Sequence, residues 1–320
     1  MERIRLEHLL DEIRKRKILV VGDLILDRYL FGKVDRISPE APVPIVEVEK
    51  EEHRLGGACN VANNLRALGA EVYLCGIVGK DTGGEILKKL LKDKGIKDLT
   101  VEDAGRKTTV KTRIISMSQQ LIRIDEEDKR PASGKVLSNL LEMLDVECEC
   151  IIVSDYAKGC IVPDLMRKIR NKKVVWSVDP KPKNVALYSG ATLMTPNEKE
   201  VREITRSEDI IKGAITIREE LGIDTIAITR GPKGITLVRD SMIKSFPALA
   251  KQVYDVTGAG DTVIAVMSAL MLSSASWEEI CIIANISAGI SVGKIGTSTV
   301  SREEILSYAE EGEIVRRHSL

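Results

Sequence analysis

Asp255–Thr262 reads DVTGAGDT and leads directly into the apolar run Val263–Leu272. Gly258 and Gly260 let the backbone turn tightly where a helix begins. The amides of Ala259, Gly260 and Asp261 then converge on one spot, where the helix dipole favours negative charge. A phosphoryl group in transfer carries such a charge. Asp261 stands at that spot with a carboxylate able to take a hydroxyl proton. Taken alone, Asp261 also fits a simple helix cap. Other phosphate loops are excluded. A Walker A loop needs Gly, four residues, then Gly-Lys-Ser/Thr; Gly289 to Gly293-Lys294-Ile295 has the wrong spacing and no hydroxyl. A dinucleotide fingerprint would need a third Gly or Ala at Val263. No His-Arg-Asp or Asp-Phe-Gly signature of a protein kinase is present.

Upstream of this loop, short apolar runs alternate with helical periods. Ile18–Val21, Val72–Val78, Ile151–Val153, Val174–Val178, Thr192–Met194 and Thr225–Thr229 read as buried strands. Between them Asn60–Leu68, Glu85–Lys94, Lys135–Leu144, Leu165–Arg170 and Ile210–Leu221 read as helices. That alternation predicts a mainly parallel sheet covered by helices on both faces. Val43–Glu49 and Thr108–Asp125 break the rhythm. Both alternate apolar and polar residues without a crossover helix, so they predict a small β-sheet flap with one face wet or facing a ligand. Pro39, Pro42 and Pro44 suit the start of an edge strand.

The residues just past the core strands are Gly22-Asp23, Ser154-Asp155, Asp179-Pro180-Lys181, Thr195-Pro196-Asn197 and Arg230-Gly231. Open α/β sheets bind ligands beyond the carboxyl ends of their strands. Any one of these could be a turn former or a cap. All of them together point to a site along that edge.

Composition narrows the partners. The 320 residues are 43% hydrophobic and 30% charged, which supports a packed core. Lys plus Arg and Asp plus Glu are both 48, so no basic excess suggests a duplex nucleic acid. Cys59, Cys75, Cys148, Cys150, Cys160 and Cys281 read as buried thiols, since Cys-Glu-Cys is not a zinc spacing. His8, His53 and His318 form no metal pair and make a His-based triad implausible. Met1–Arg16 reads as a charged amphipathic helix without a signal-peptide core. No run of about 20 apolar residues exists, and the expected location is cytoplasmic.

DVTGAGDT resembles the C-terminal signature of ribokinase-like, phosphofructokinase-B-type carbohydrate kinases. Gly56-Gly57-Ala58-Cys59-Asn60-Val61-Ala62 is similar to their N-terminal sugar-binding motif, and Asn197 to Glu200 matches their Asn-x-x-Glu motif. The resemblance runs from about Ile18 to Val300. Finer matches are Gly22–Tyr29, Arg36–Pro44, Gln119–Arg123, Ser154–Gly159 and Val292–Thr297, which look like the kinase module of heptose-7-phosphate kinases. Those enzymes phosphorylate O1 of D-glycero-β-D-manno-heptose 7-phosphate on the way to ADP-heptose, a lipopolysaccharide precursor. Many carry a nucleotidyltransferase module after the kinase. The chain ends at Leu320 without one, so the resemblance is to the free-standing form.

The resemblance implies a three-layer α/β/α kinase domain over 1–320, with a lid from about 33–54 and 106–127. It implies ATP and Mg2+ as cofactors and Asp261 as the base. Gly258, Ala259 and Gly260 would form the anion hole. Asp23, Asp27, Gly56, Gly57 and Asn60 would hold the sugar, although Asn60 also fits a helix cap. Asn197 and Glu200 would organise magnesium through water and the ATP phosphates; a cap plus a solvated helix charge is the alternative. Thr229, Gly231 and Asn285 match the nucleotide loop and adenine side, with Asn285 also readable as a plain helix residue. A phosphorylated sugar needs cations at its far end, and Arg113, Arg123, Lys158 and Lys181 are the candidates, Lys181 first. Each also fits an ordinary surface base. Rival readings are a kinase for another sugar, a non-catalytic sugar-phosphate sensor and a nicotinamide oxidoreductase. Intact Asp261 and both glycines argue against the sensor, and the missing fingerprint argues against the oxidoreductase.

Val43, Ile45 and Val48 with Ile114, Ile122 and Ile124 are more apolar side chains than a small exposed sheet leaves in water. Packing two flaps face to face would cover them, which predicts a two-fold homodimer. Ribokinase-like relatives often dimerise through this element. Folding the apolar face back on the parent domain would instead give a monomer.

Overall fold

The structure, a computed structural model, describes residues 2–117, 119–240, 242–249 and 252–317, with backbone alone for 311–317. His318 lies outside the described residues. The chain begins with α1 (Arg3–Ile13), β1 (Lys17–Gly22), β2 (Leu24–Ile37), β3 (Pro44–Gly57), α2 (Ala58–Ala67), β4 (Glu71–Cys75), β5 (Ile77–Gly79) and α3 (Thr82–Asp93). It continues through β6 (Lys97–Asp98), β7 (Val101–Asp103), β8 (Thr109–Ser116), β9 (Gln119–Glu126), α4 (Gly134–Met143), β10 (Cys150–Ser154), α5 (Pro163–Asn171), β11 (Val175–Asp179) and β12 (Leu193–Met194). The last part holds α6 (Glu198–Thr205), α7 (Ile210–Leu221), β13 (Thr225–Thr229), β14 (Ile235–Arg239), β15 (Met242–Phe246), α8 (Ala259–Leu270), α9 (Trp277–Val292) and α10 (Arg302–Arg317).

Among the described residues, nine strands form the main sheet in the order β15-β14-β13-β12-β11-β10-β1-β4-β6. The pairings from β6 to β13 are parallel, and β13-β14-β15 close the far edge antiparallel. Period-two alternation divides the core into two faces. Ile18, Val20, Val72, Leu74 and Ile152 pack with α1, α2, α8 and α9 on one face. Leu19, Val21, Ile151, Val153 and Val178 pack with α4, α5 and α7 on the other. Each such side chain contributes roughly 1.5–3 kcal/mol on burial, so the centre of the sheet is a firm base for whatever its edge carries. The six cysteines are buried and unpaired, as their apolar surroundings predict.

Strand order reverses between β1 and β10, which places Asp23 and Asp155 side by side at the switch point where doubly wound sheets bind ligands. The predicted strand Val72–Val78 is in fact two. Gly76 separates β4 from β5 because a Cβ there would meet the Gly22 carbonyl at 2.5 Å, and β5 leaves the main sheet to pair with β7.

The flap is a four-stranded sheet in the order β3-β2-β8-β9. Its 14-residue strand β2 was not anticipated, and the flap therefore starts at Leu24. Register sorts its faces. Asp27 and Tyr29 on β2 sit opposite Lys111 and Arg113 on β8, which in turn face Asp125 and Arg123 on β9. This polar face turns inward, with Asp27 and Arg113 buried. On the outer face Ile122, Ile124 and Val48 stay about half exposed. No helix among the described residues is long and apolar enough to cross a membrane.

Candidate active site

The loop before α8 sets the centre. Gly258 has φ +82°, and a Cβ there would come within 2.6 Å of the Asn60 amide nitrogen. Glycine is required both for the left-handed turn and for that approach. The Ala259 amide reaches the Val256 carbonyl at 3.3 Å and the Thr262 amide the Gly258 carbonyl at 3.0 Å. Among the described residues nothing accepts from the backbone amides of Gly260 and Asp261, so these two donors of the first turn remain free. A Cβ on Gly260 would touch nothing within 4 Å. That side of the turn opens on space.

Asp261 is 3% exposed. Its Oδ2 accepts from the Asn60 amide at 2.8 Å and its Oδ1 from the Tyr156 hydroxyl at 2.8 Å. Burial pushes its carboxyl up to about 6, against the pull of these two donors. Asn60 is the third residue of α2, whose N-cap is Gly57. Its side chain is spent on Asp261 and Asn64.

The residues expected on the sugar side fall around this centre in different ways. Asp27 receives Arg113 at 2.5 Å. A Cβ on Gly56 would collide with the Asp27 carboxylate at 2.4 Å, and Gly57 has φ +55°; both glycines let the chain pass close to the acids. Asp23 accepts from the amides of Tyr156 (2.8 Å), Lys158 (2.9 Å) and Cys160 (3.1 Å). Of a carboxylate's roughly four acceptor positions, one is left for a ligand. Burial and the neighbouring Asp155 raise the Asp23 carboxyl to about 6.

Each cation named for a distant phosphate has a carboxylate partner. Arg113 pairs with Asp27, Arg123 with Asp125 at 2.8 Å, Lys158 with Glu127, and Lys181 with Glu200 at 2.5 Å. Burial pulls Lys181 down, but Glu200 outweighs it and holds the ammonium above its usual value. Arg123 is on exposed β9 while Arg113 is buried. Sequence reading missed Lys111. It has no carboxylate in contact among the described residues, lies 5.3 Å from the Tyr156 ring, and burial lowers its ammonium. The available signal was its alternation with Arg113 on the same inward face. Tyr156 was also missed, and nothing local in SDYAKG announces that its hydroxyl meets a carboxylate 105 residues away.

Of the residues expected on the nucleotide side, four converge and Glu200 does not line their cleft. Asn197, Thr229, Gly231 and Asn285 line one cleft of about 400 Å³ together with Ala259 and Gly260. Its remaining wall is apolar, with Val256, Val263, Ala288 and Val292. Asn285 donates to the Phe246 carbonyl at 3.1 Å, which leaves its oxygen for the cleft. Asn197 and Glu200 form a reciprocal capping box at 2.9 Å each way, yet Glu200 is buried rather than solvated. Asp179 stands nearby, its carboxyl raised by burial and by Glu200. No cluster of three or more acids, histidines or cysteines among the described residues could cage a metal directly. Glu200, its two oxygens engaged by Lys181 and the Asn197 amide, keeps only its remaining lone pairs to receive the water shell of a magnesium ion.

Comparison with known proteins agrees with this geometry. The family described as pfkB family carbohydrate kinase matches residues 15–304. The bifunctional protein HldE of Helicobacter hepaticus is 41% identical over 311 residues, covering 93% of this chain and 64% of that protein. The bifunctional protein HldE of Geotalea uraniireducens is 42% identical over 322 residues, covering 96% and 66%. The chain thus spans just under two thirds of the length of these relatives. In fold it is similar to Escherichia coli phosphofructokinase-2 in complex with substrates and products, at TM-score 0.79 and 20% identity, covering 92% of this chain and 99% of that one. The Arabidopsis thaliana ribokinase complexed with ribose and ATP gives TM-score 0.72 and 18% identity, covering 92% and 98%.

Proposed function

The chain belongs to the pfkB family of carbohydrate kinases, and from that premise we propose that it transfers the γ-phosphoryl group of ATP to O1 of D-glycero-β-D-manno-heptose 7-phosphate. The product is the 1,7-bisphosphate, a precursor of ADP-heptose. The observation that carries the reading is the junction at Gly260. There the apolar cleft meets the two free amides and the buried Asp261, with the polar face of the flap on the other side. The choice of sugar rests on the heptose-kinase resemblance of the flap and switch-point segments, and on identity to the HldE proteins along most of the chain.

In this reading the base of ATP lies in the cleft against Val263 and Asn285, and its phosphates run toward Gly260. Asp27 and the remaining acceptor position of Asp23 bind sugar hydroxyls. As O1 attacks the γ-phosphorus, Asp261 takes its proton. The bond from phosphorus to the bridging oxygen breaks, and ADP leaves with that electron pair. The Gly260 and Asp261 amides face the charge on the transferring group. Glu200 and Asn197 would hold a magnesium ion, which would supply neutralisation of the phosphate charge. The flap closes over the sugar and excludes water, which limits ATP hydrolysis. Arg113, Arg123 and Lys158, each giving up its carboxylate partner, are the cations for the substrate's own phosphate, while Lys181 sits on Glu200 at the ATP end.

The exposed outer face of the flap supports a homodimer. A second copy packed against Val48, Ile122 and Ile124 would cover them. Each flap still closes its own site.

ATP-dependent phosphorylation of a panel tests the function: heptose 7-phosphate, the unphosphorylated heptose, fructose 6-phosphate, ribose and adenosine. Heptose 7-phosphate should be the best acceptor. The unphosphorylated heptose should lose about ten-fold or more in kcat/KM, because each lost charge-assisted contact costs about 1.5–3 kcal/mol. A preference for another member of the panel would reject the assigned sugar.

A further inference from the structure

Tyr156 occupies a place that its loop is built to define. The Asp23 carboxylate receives the amides of Tyr156, Lys158 and Cys160, gripping both ends of the turn. Asp155 receives the Ala157 amide at 2.6 Å and is itself held by Asn184 at 2.7 Å and Tyr188 at 2.5 Å. Between these acids Ala157 adopts φ +54°, a left-handed conformation that alanine adopts only when its surroundings hold it there. Two buried carboxylates therefore fix the residue that follows the switch point, and its hydroxyl ends 2.8 Å from Asp261.

We infer that Tyr156 is a positioning residue for Asp261. Its hydroxyl and the Asn60 amide each hold one oxygen of the carboxylate, so that the remaining lone pairs face the acceptor hydroxyl. This inference rests on the reading of Asp261 as the base. The donor is permanent, because burial keeps the phenol well above its usual value of 10. The other charges facing Asp261 are Asp27 from β2, Lys111 from β8 and Asp179 at the end of β11. Lys111 and Lys181 lie 5.3 and 5.5 Å from the Tyr156 ring. Asn60 and Tyr156 both stabilise the ionised carboxylate. Removing the phenol hydroxyl should therefore make Asp261 harder to ionise as well as freer to turn.

The test is the pH profile of Tyr156→Phe with Asp261→Asn as control. Tyr156→Phe should lower kcat about ten-fold, leave KM for ATP within about two-fold, and move the acid limb of kcat/KM upward by about one pH unit. A difluorotyrosine at position 156, a stronger donor of the same shape, should move that limb downward. If Asp261→Asn is inactive while neither change at 156 moves the acid limb, Tyr156 is only packing and the inference is overturned. If Asp261→Asn turns over normally, the base itself is wrongly assigned, and the inference falls with it.

Discussion

The carboxyl edge of the main sheet and the flap are built on opposite terms. At the edge, acids are buried and already engaged. Asp23 takes three amides, Asp155 an amide and two side chains, and Asp261 an amide and a phenol. On the flap β9 is exposed along its whole length, and apolar side chains face water. A preorganised edge suits groups that must meet a reacting atom within a few tenths of an ångström. A sheet stitched mainly by its own ladder suits an element that moves over a substrate and meets a partner. Rate should therefore respond to small changes at the edge, and assembly to changes on the flap.

The largest effect of this kind should come from one added methyl group. Gly258→Ala forces alanine into φ +82° and drives its Cβ toward Asn60 at 2.6 Å. Both the turn and the orientation of Asp261 suffer, and kcat should fall by about 10² or more, comparable to losing an oxyanion-type donor. Gly260→Ala, with open space around its Cβ, should leave the melting temperature unchanged and instead raise KM for ATP. Steady-state kinetics and thermal melts of the pair separate the two effects. Equal behaviour would break the view of the edge as preorganised.

On the flap, Ile122→Asp with Ile124→Asp should convert a dimer into a folded monomer, read by sedimentation. Their side chains are 53% and 47% exposed in the single chain, so neither charge is forced into a core. A monomeric wild type, or a double variant that stays dimeric, would show that the outer face serves another purpose.

The contrast also explains what could be read in advance. The parallel core was legible because its strands are unbroken β-branched runs, and DVTGAGDT because its glycines have few other uses. The cleft beside Gly260 gathers Asn197, Thr229 and Gly231, all just past strand ends. Strand β2 was hidden because Asp27, Arg28, Lys33, Asp35 and Arg36 give it the composition of a solvated loop; its pairing with β3 and β8, not its own pattern, makes it a strand. The antiparallel edge β14-β15 was likewise unforeseen, being short and following a run that already satisfied the βα rhythm. Tyr156 and Lys111 depend on contacts between distant segments. Glu200, readable as a surface charge, is buried because Lys181 and the Asn197 amide reach it.

The smallest effect concerns stability against pH. The Asp261 carboxyl lies at about 6 in the folded protein, against its ordinary 3.8. A raised folded value means that the folded state prefers the protonated form. That contribution is fully present below 3.8 and is lost as pH rises through about 6, a change of at most about 3 kcal/mol. Asp261→Asn lacks this loss. Its melting temperature relative to wild type should therefore climb by a few degrees between pH 4 and pH 7. A constant difference across that range would mean that Asp261 ionises without cost.

The same Asp261→Asn variant tests the central claim most directly. Turnover of ATP and heptose 7-phosphate should drop by about 10² to 10⁴, as loss of a general base implies, while calorimetry finds ATP bound about as tightly as by wild type. Near-normal turnover by the folded variant would contradict the assignment of Asp261 as the base.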